Sequence, residues 1–207
     1  MLPCGPRSEQ LGINEDLIRR FGLHYIIPST NLASVLKFGL LSRNEMLARR
    51  IRFDDISDHE VQVHRERRDP VHGRPIHDYV PLYLNHRNAM LYRRKEIQDR
   101  LVILIIDREV TSRPGVLFCD GNAASAATSF SIDPDILGPS RAALEADYWK
   151  NVPDGTRRRM AEVLIPDEIP RDAIARAVCN NHGLVMQIRR EHDLYASVDT
   201  AKFFENR

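Results

Sequence analysis

Asn85-His86-Arg87-Asn88 follows directly on a strand-like run, Tyr79 to Leu84, and leads into Met90, Leu91 and Tyr92. A core strand has no need of four polar side chains at its exit. A ligand site does, because binding groups collect on loops held by a rigid scaffold. A second candidate is Glu162, in Arg159-Met160-Ala161-Glu162-Val163-Leu164-Ile165-Pro166. Period-two alternation sets Met160, Glu162 and Leu164 on one face and Ala161, Val163 and Ile165 on the other. On pattern alone this reads as an edge-strand glutamate paired with an arginine. The alternative is a carboxylate held in a cleft, which suits cleavage at a ribose anomeric carbon. That bond breaks toward an oxocarbenium-like cation, and a nearby carboxylate stabilises it. One such group is worth roughly 3–4 kcal/mol in a transition state.

Other chemistries find less support. The histidines (His24, His59, His64, His72, His77, His86, His182 and His192) show neither HExxH nor paired Cys/His spacing, so no metal site is expected. His24 and His77 precede strands and are read either as structural groups or as donors to a ligand. Ser125, Ser129 and Ser131 lack a nucleophile elbow. Cys119 ends an apolar strand and reads as core. No GxGxxG or GxxxxGK is present, so a nucleotide would have to bind without those loops. Net charge is +1, which does not by itself mark a nucleic-acid binder. Arg49-Arg50-Ile51-Arg52 and His64-Arg65-Glu66-Arg67-Arg68 flank an acidic patch, and Arg157-Arg158-Arg159 forms a third cluster. Each is a solvated face if isolated; three converging on one cleft would form a phosphate-binding surface.

The elements that must position these groups are short. Leu23 to Ile27 reads as a strand. Ser29 or Thr30 is placed to cap a helix from Asn31 to Phe38, which Gly39 ends. Residues 43 to 75 are long and charged, with helical stretches near Asn44–Arg50 and His59–Arg67. Ala89 to Gln98 reads as a helix, and Leu101 to Asp107 and Val116 to Cys119 as strands. A helix near Arg141 to Trp149 precedes the Glu162 strand, and Ala173 to Val178 reads as a further strand. The class is α+β, without regular βαβα alternation. Residues 1–20 read as a tail and lead-in, 1–10 frayed, and 21–207 as a single domain. No apolar run approaches the ~18 residues of a membrane span. The start of the chain lacks a hydrophobic signal region. Three widely spaced cysteines form no disulfide framework, so a reducing cytoplasm is expected.

Leu23-His24-Tyr25-Ile26-Ile27, Asn31-Leu32, Gly39-Leu40-Leu41-Ser42, Asp78 to Tyr83 with Asn85, Arg87, Met90, Leu91 and Tyr92, and Ala161 to Leu164 together resemble the DarT family. The resemblance runs from about Leu23 to Pro170. It implies an ADP-ribosyltransferase fold, a split antiparallel sheet with NAD in a cleft between the halves and flanking helices. It implies a toxin that moves ADP-ribose from NAD to a base, typically thymine, of single-stranded DNA and releases nicotinamide. It also implies a macrodomain antitoxin that removes the modification. By resemblance Glu162 is the catalytic glutamate, and an arginine after Ser42, Arg65 first and Arg52 second, contacts NAD and assists proton removal. His24, Tyr25 and Ile26 match the segment that holds the nicotinamide amide, with the histidine one position earlier than the family places it. Ser42, Tyr83 and Met90 complete the expected NAD contacts. Asn85, Arg87, Tyr92 and Asn122 are expected at the substrate, the last on a recognition loop running from Asp120 toward Glu162. Tyr83, Tyr92, Phe118 and Trp149 are candidates for stacking on bases. Two alternatives stay open: another acceptor (RNA, protein, guanine or a small molecule), or a non-catalytic NAD- or DNA-binding module.

Overall fold

The computed structural model describes residues 15–205. The stretch 1–10 and Cys4 lie outside the described residues. The described residues start with helix α1 (Glu15–Phe21), whose Leu17 and Ile18 are buried in the main core. Ten strands follow: β1 (Leu23–Pro28), β2 (Leu40–Leu41), β3 (Tyr79–Tyr83), β4 (Leu101–Ile106), β5 (Leu117–Cys119), β6 (Phe130–Ser131), β7 (Glu162–Pro166), β8 (Glu168–Ile169), β9 (Ile174–Cys179) and β10 (Ala196–Val198). The remaining helices are α2 (Leu32–Phe38), α3 (Arg43–Ala48), α4 (His59–His64), α5 (Ala89–Arg93), α6 (Arg141–Glu145), α7 (Gly155–Arg158) and α8 (His182–Glu191).

Eight strands form one sheet in the order β10-β9-β4-β1-β3-β7-β5-β6, and β2 pairs with β8 separately. All neighbours are antiparallel except β9 and β10, which are joined through α8. The sheet is nearly divided in the middle. β1 pairs with β4 along its whole length, Leu23 to Pro28, but meets β3 only at His24–Tyr83. Beyond that pair the strands diverge, so the two halves of the sheet frame an opening. This is the split antiparallel sheet that the resemblance implies.

Burial explains which strands lie inside. β4 is apolar throughout because both its faces are covered. Val102, Leu104 and Ile106 join the main core, while Leu101 and Ile103 pack with Ile26, Leu91, Val178 and Phe203 on the other side. β7 alternates as its sequence requires: Ala161, Val163 and Ile165 enter the main core, and Leu164 faces Tyr79, Leu117 and Cys119. It is not an edge strand, however. It lies between β3 and β5, and all five of its residues are buried.

Several local expectations differ from the structure. Ser29 and Thr30 do not cap α2; Ser29–Asn31 forms a 3-10 turn, and the Thr30 hydroxyl donates to Asp54 at 2.6 Å. The helix expected over Ala89–Gln98 breaks at Arg94 into α5 and a 3-10 segment, Lys95–Arg100. The charged segment 43–75 is ordered around Asp69, which is 2% exposed. Its carboxylate accepts from the amides of Val71, His72 and Arg74 and from the Tyr79 hydroxyl. β6, β8 and β10 are too short to carry a pattern of their own and exist through pairing.

Gly39 fixes the turn between α2 and β2. Its φ is +82°, and an added Cβ would stand 2.5 Å from the Ile169 carbonyl oxygen. Gly39→Ala therefore meets both backbone strain and a backbone clash, and is expected to cost about 2–4 kcal/mol in denaturant unfolding. Gly73→Ala, at φ +70° but with nothing within 4 Å, is the control and is expected to cost about 1 kcal/mol. Equal losses would rule out the contact with Ile169.

Candidate active site

The sheet register sets four side chains in a row across the split. His24 opposes Tyr83, Tyr83 opposes Glu162, and Glu162 opposes Cys119. Directly opposed residues in an antiparallel sheet share a face. The polar groups here are thus one cross-strand rank, and Glu162 is its centre, completely buried.

Arg65 closes over this rank. It is the C-terminal cap of α4, whose first turn is held by the Asp58 side chain accepting from the Glu60 amide. Its Nη2 donates to both Glu162 oxygens at 2.6 Å, and the Ala123 amide donates to Oε1 at 3.4 Å. The glutamate–arginine pairing read from the pattern is present, but at the sheet centre, because β7 is an interior strand. Burial pushes the Glu162 carboxyl above the usual carboxylate range, and the touching guanidinium restrains that rise. Burial likewise works against the Arg65 charge, and Glu162 more than offsets it. Burial and then the Glu162 carboxylate push the Tyr83 phenol and the Cys119 thiol upward, so both stay protonated. Cys119 is a core residue, not a thiolate.

Above Arg65 lies a cleft of about 350 Å³. Of the residues that the resemblance assigns to NAD or the substrate, Tyr25, Ile26, Arg65, Tyr83, Met90 and Asn122 line it; the buried Glu162 does not, whereas its partner Arg65 does. Other expected contacts are absent from the cleft for local reasons. His24 is 3% exposed and turned beneath, with Nδ1 3.1 Å from the Tyr83 carbonyl oxygen and its ring 4.5 Å from His86. Ser42 is buried as the N-cap of α3, accepting from the Glu45 amide. Arg52 is exposed and makes no hydrogen bond or ion pair among the described residues. Asn85 shapes its own turn, accepting from the Arg87 amide and donating to the Leu144 carbonyl. Arg87 and Tyr92 stand outside the cleft against Phe204. Of the other aromatics, Phe118 and Trp149 are buried.

The three basic clusters do not converge. Arg49 pairs with Glu45 and Glu168, and Arg157 with Asp120 and Asp154. Arg159 is buried, donating to the carbonyls of Ala143, Leu144 and Ala146, and burial lowers its pKa to about 10. The cations that line the cleft beside Arg65 are instead Arg43, Arg93 and Arg94, which the sequence reading did not select. Each holds the segment 55–58. Arg43 pairs with Asp55 at 2.7 Å, Arg93 with Asp58 at 2.6 Å, and Arg94 donates to the carbonyls of Ile56 and Ser57. Helical spacing carried a signal: Ala89, Met90 and Arg93 stand at i, i+1 and i+4 of α5 and share the cleft side. The acidic patch noted between the basic clusters contains the partners of Arg43 and Arg93. Among the described residues there is no cluster of three or more His, Cys, Asp or Glu able to hold a metal ion.

The loop after β5 is held as a unit. Asp120 accepts from Arg157 and from the Ser129 amide, and Arg67 donates to the carbonyls of Ala123 and Ser125. Arg65 and Arg67, two residues apart, thus bind α4 to both Glu162 and the loop that donates to it.

The buried imidazoles give a pH signature. Burial lowers His24 to about 4 and His86 to about 2. The native state keeps both neutral, whereas an unfolded chain protonates them near 6.5. Stability is therefore full above about pH 6.5 and falls as the pH drops toward 4, by roughly 3 kcal/mol for His24 alone. Denaturant midpoints at pH 7 and 4.5 check this. His86→Phe removes a ring whose Nδ1 has no partner and should lose less over that interval. An equal loss in the variant would exclude His86 as a contributor.

Comparison with known proteins agrees with this fold. The family model described as "ssDNA thymidine ADP-ribosyltransferase, DarT" matches residues 24–199. A DNA ADP-ribosyl transferase-DNA ADP-ribosyl glycohydrolase fusion protein of Thermosipho africanus (strain H17ap60334) is 26% identical over 173 residues, 81% of this chain and 45% of the relative. The chain thus spans about half the length of that curated relative. Thermosipho africanus DarTG in complex with ADP-ribose superposes with a TM-score of 0.80 at 24% identity, covering 88% of this chain and 50% of that one. Thermus sp. 2.9 DarT in complex with ADP-ribosylated ssDNA gives a TM-score of 0.76 at 19% identity, covering 90% and 97%. The same protein in complex with NAD+ gives 0.74 at 18%, covering 88% and 96%. These structures share the fold, and the family match spans most of the chain: it belongs to the DarT family of ssDNA thymidine ADP-ribosyltransferases.

Proposed function

We propose that this chain transfers ADP-ribose from NAD to the thymine base of single-stranded DNA, with release of nicotinamide. The observation that carries this reading is the buried Arg65–Glu162 pair at the floor of the cleft where the sheet splits. Family membership supports the substrates, as do the complexes of Thermus DarT with NAD+ and with ADP-ribosylated ssDNA.

In the reaction the bond between the ribose anomeric carbon and the nicotinamide nitrogen breaks, and its electron pair leaves with nicotinamide. The anomeric carbon gains cationic character, and the Glu162 carboxylate stabilises it from below. A thymine ring nitrogen supplies the new bond, and its proton passes to water. Arg65 is too weak a base to take that proton by intrinsic pKa alone. Its part is to hold the Glu162 charge and to present a guanidinium to the cleft. Tyr25, Ile26, Tyr83 and Met90 supply the apolar wall beside it, and Asn122 faces the acceptor from the loop after β5. A single strand avoids the few kcal/mol that unstacking a duplex base would cost.

The unit 21–207 works as one transferase domain, and α1 belongs with it because Leu17 and Ile18 fill the same core. A reducing cytoplasm suits Cys119 and Cys179, both buried and free. No helix among the described residues is long and apolar enough to cross a membrane. The fusion in Thermosipho africanus supports a partner glycohydrolase, of the macrodomain class that the resemblance implies, reversing the modification.

The test incubates the purified protein with NAD and a mixed-sequence single-stranded oligonucleotide and reads the oligonucleotide mass. A gain of one ADP-ribose, located on thymine by fragmentation, is expected. Nicotinamide release with an unmodified oligonucleotide would move the acceptor to RNA or protein. Neither product would leave a binding module.

A further inference from the structure

Outside the cleft, on the far side of α5, aromatic rings and cations alternate in a ladder. Lys95 Nζ lies 5.6 Å from the centre of the Tyr92 ring. Tyr92 meets Phe204 edge-on at 5.3 Å, and the Arg87 guanidinium lies 5.0 Å over Phe204. Trp149 closes the inner end, 6.0 Å from Phe204. The ladder starts one helical position from the cleft: Ala89, Met90 and Arg93 of α5 line the cleft, while Tyr92 points away and is 50% exposed.

Anchoring the end of the chain does not account for this arrangement. Phe203, 4% exposed, already packs with Ile26, Leu91 and Ile103, and the Gln98 side chain holds the Phe204 backbone through both its amide and its carbonyl. Neither of those anchors requires Tyr92 to stand half in water. Among the described residues Arg87 and Lys95 make no ion pair, and each meets a ring instead. A half-exposed tyrosine ring beside a part-buried phenylalanine and two cations fits a single nucleic-acid strand, one of whose bases stacks on the tyrosine while its phosphates meet the cations.

We propose that the Lys95–Tyr92–Phe204–Arg87 ladder is a docking surface for the substrate strand outside the target nucleotide. A flanking base stacks on Tyr92, displacing Lys95 outward, and Arg87 and Lys95 neutralise the adjoining phosphodiesters. This rests on the reading of the cleft as acting on single-stranded DNA, and it adds the part of the strand that the cleft itself does not hold.

The test compares wild type with Tyr92→Ala, Tyr92→Trp and the Arg87→Ala/Lys95→Ala pair on a thymine-containing oligonucleotide of a dozen or more nucleotides. Equilibrium binding and the KM for DNA and for NAD are measured. Tyr92→Ala should weaken DNA binding and raise the DNA KM about tenfold, leaving the NAD KM at the wild-type value. Tyr92→Trp should restore binding, which a purely structural tyrosine would not allow. The cation pair should flatten the salt dependence by about 1.4 in log–log slope, about 0.7 per phosphate on a single strand. An unchanged DNA KM in Tyr92→Ala, a parallel rise in the NAD KM, or an unchanged salt slope would each overturn the proposal. If wild type binds the strand without modifying it, the reading of the cleft fails, while the binding comparison still decides the ladder.

Discussion

Glu162→Gln should reduce ADP-ribose transfer at least about 10²- to 10³-fold while NAD still binds. The side chain sits completely buried between Tyr83 and Cys119, and among the described residues its carboxylate is the one acidic group paired with Arg65 at the base of the cleft. Loss of one well-placed charge raises a cationic transition state by roughly 3–4 kcal/mol. The amide preserves volume, so the effect reads charge and not a cavity. Stability should also fall, by about 3 kcal/mol, because Arg65 loses its counter-ion in a buried place. Arg65 already borders the cleft and can turn toward water, so the variant remains folded. Oligonucleotide mass after incubation with NAD gives the rate, and near-ultraviolet circular dichroism gives the fold. Transfer at the wild-type rate would remove Glu162 from the mechanism.

Arg65→Ala has the next largest expected effect, and a different signature. It strips the only ion-pair partner from a wholly buried carboxylate among the described residues. That costs about 3–5 kcal/mol at neutral pH. Without the guanidinium, burial alone acts on Glu162 and its pKa climbs further. An unfolded glutamate ionises near 4.3. The variant's deficit is therefore small below that pH and grows as the pH rises from there toward the elevated native pKa. Transfer should fall at least about 10²-fold at pH 7, with a rate profile displaced to higher pH because only the ionised carboxylate is useful. Arg52→Ala, at an exposed side chain without partners among the described residues, should stay within about twofold of wild type. Equal losses in the two variants, by transfer assay, would move the role away from Arg65.

Much of the site's scaffold is legible locally. Leu23–Ile27, Tyr79–Leu84, Leu101–Asp107 and the alternating run through Glu162 are strands in the structure to within a residue or two. Strand periodicity is a local property, written by which side chains face the core. The carboxylate stood out for the same reason, as a charge sharing a strand face with the apolar Met160 and Leu164. Arg65 came from the resemblance, and the structure seats it on that carboxylate, 97 residues away in sequence.

Long-range pairing could not be read in this way. No local pattern says that β7 is an interior strand, since an interior glutamate and an edge glutamate alternate identically; its neighbours β3 and β5 decide that. Runs of arginine look alike whether they face a ligand or a carbonyl. Arg159 was spent on the carbonyls of α6, and Arg157 on Asp120, while Arg43, Arg93 and Arg94 reached the cleft from three unremarkable positions. His24 sits beneath the cleft because one strand pair, His24–Tyr83, joins the two halves of the sheet. The sequence by itself determined the strands and singled out Glu162, because hydrophobic period and residue type are local quantities, and its motifs carried the family resemblance. Only the tertiary structure decided which cations face the cleft and which residues stand beneath it, because charges choose partners by distance in space.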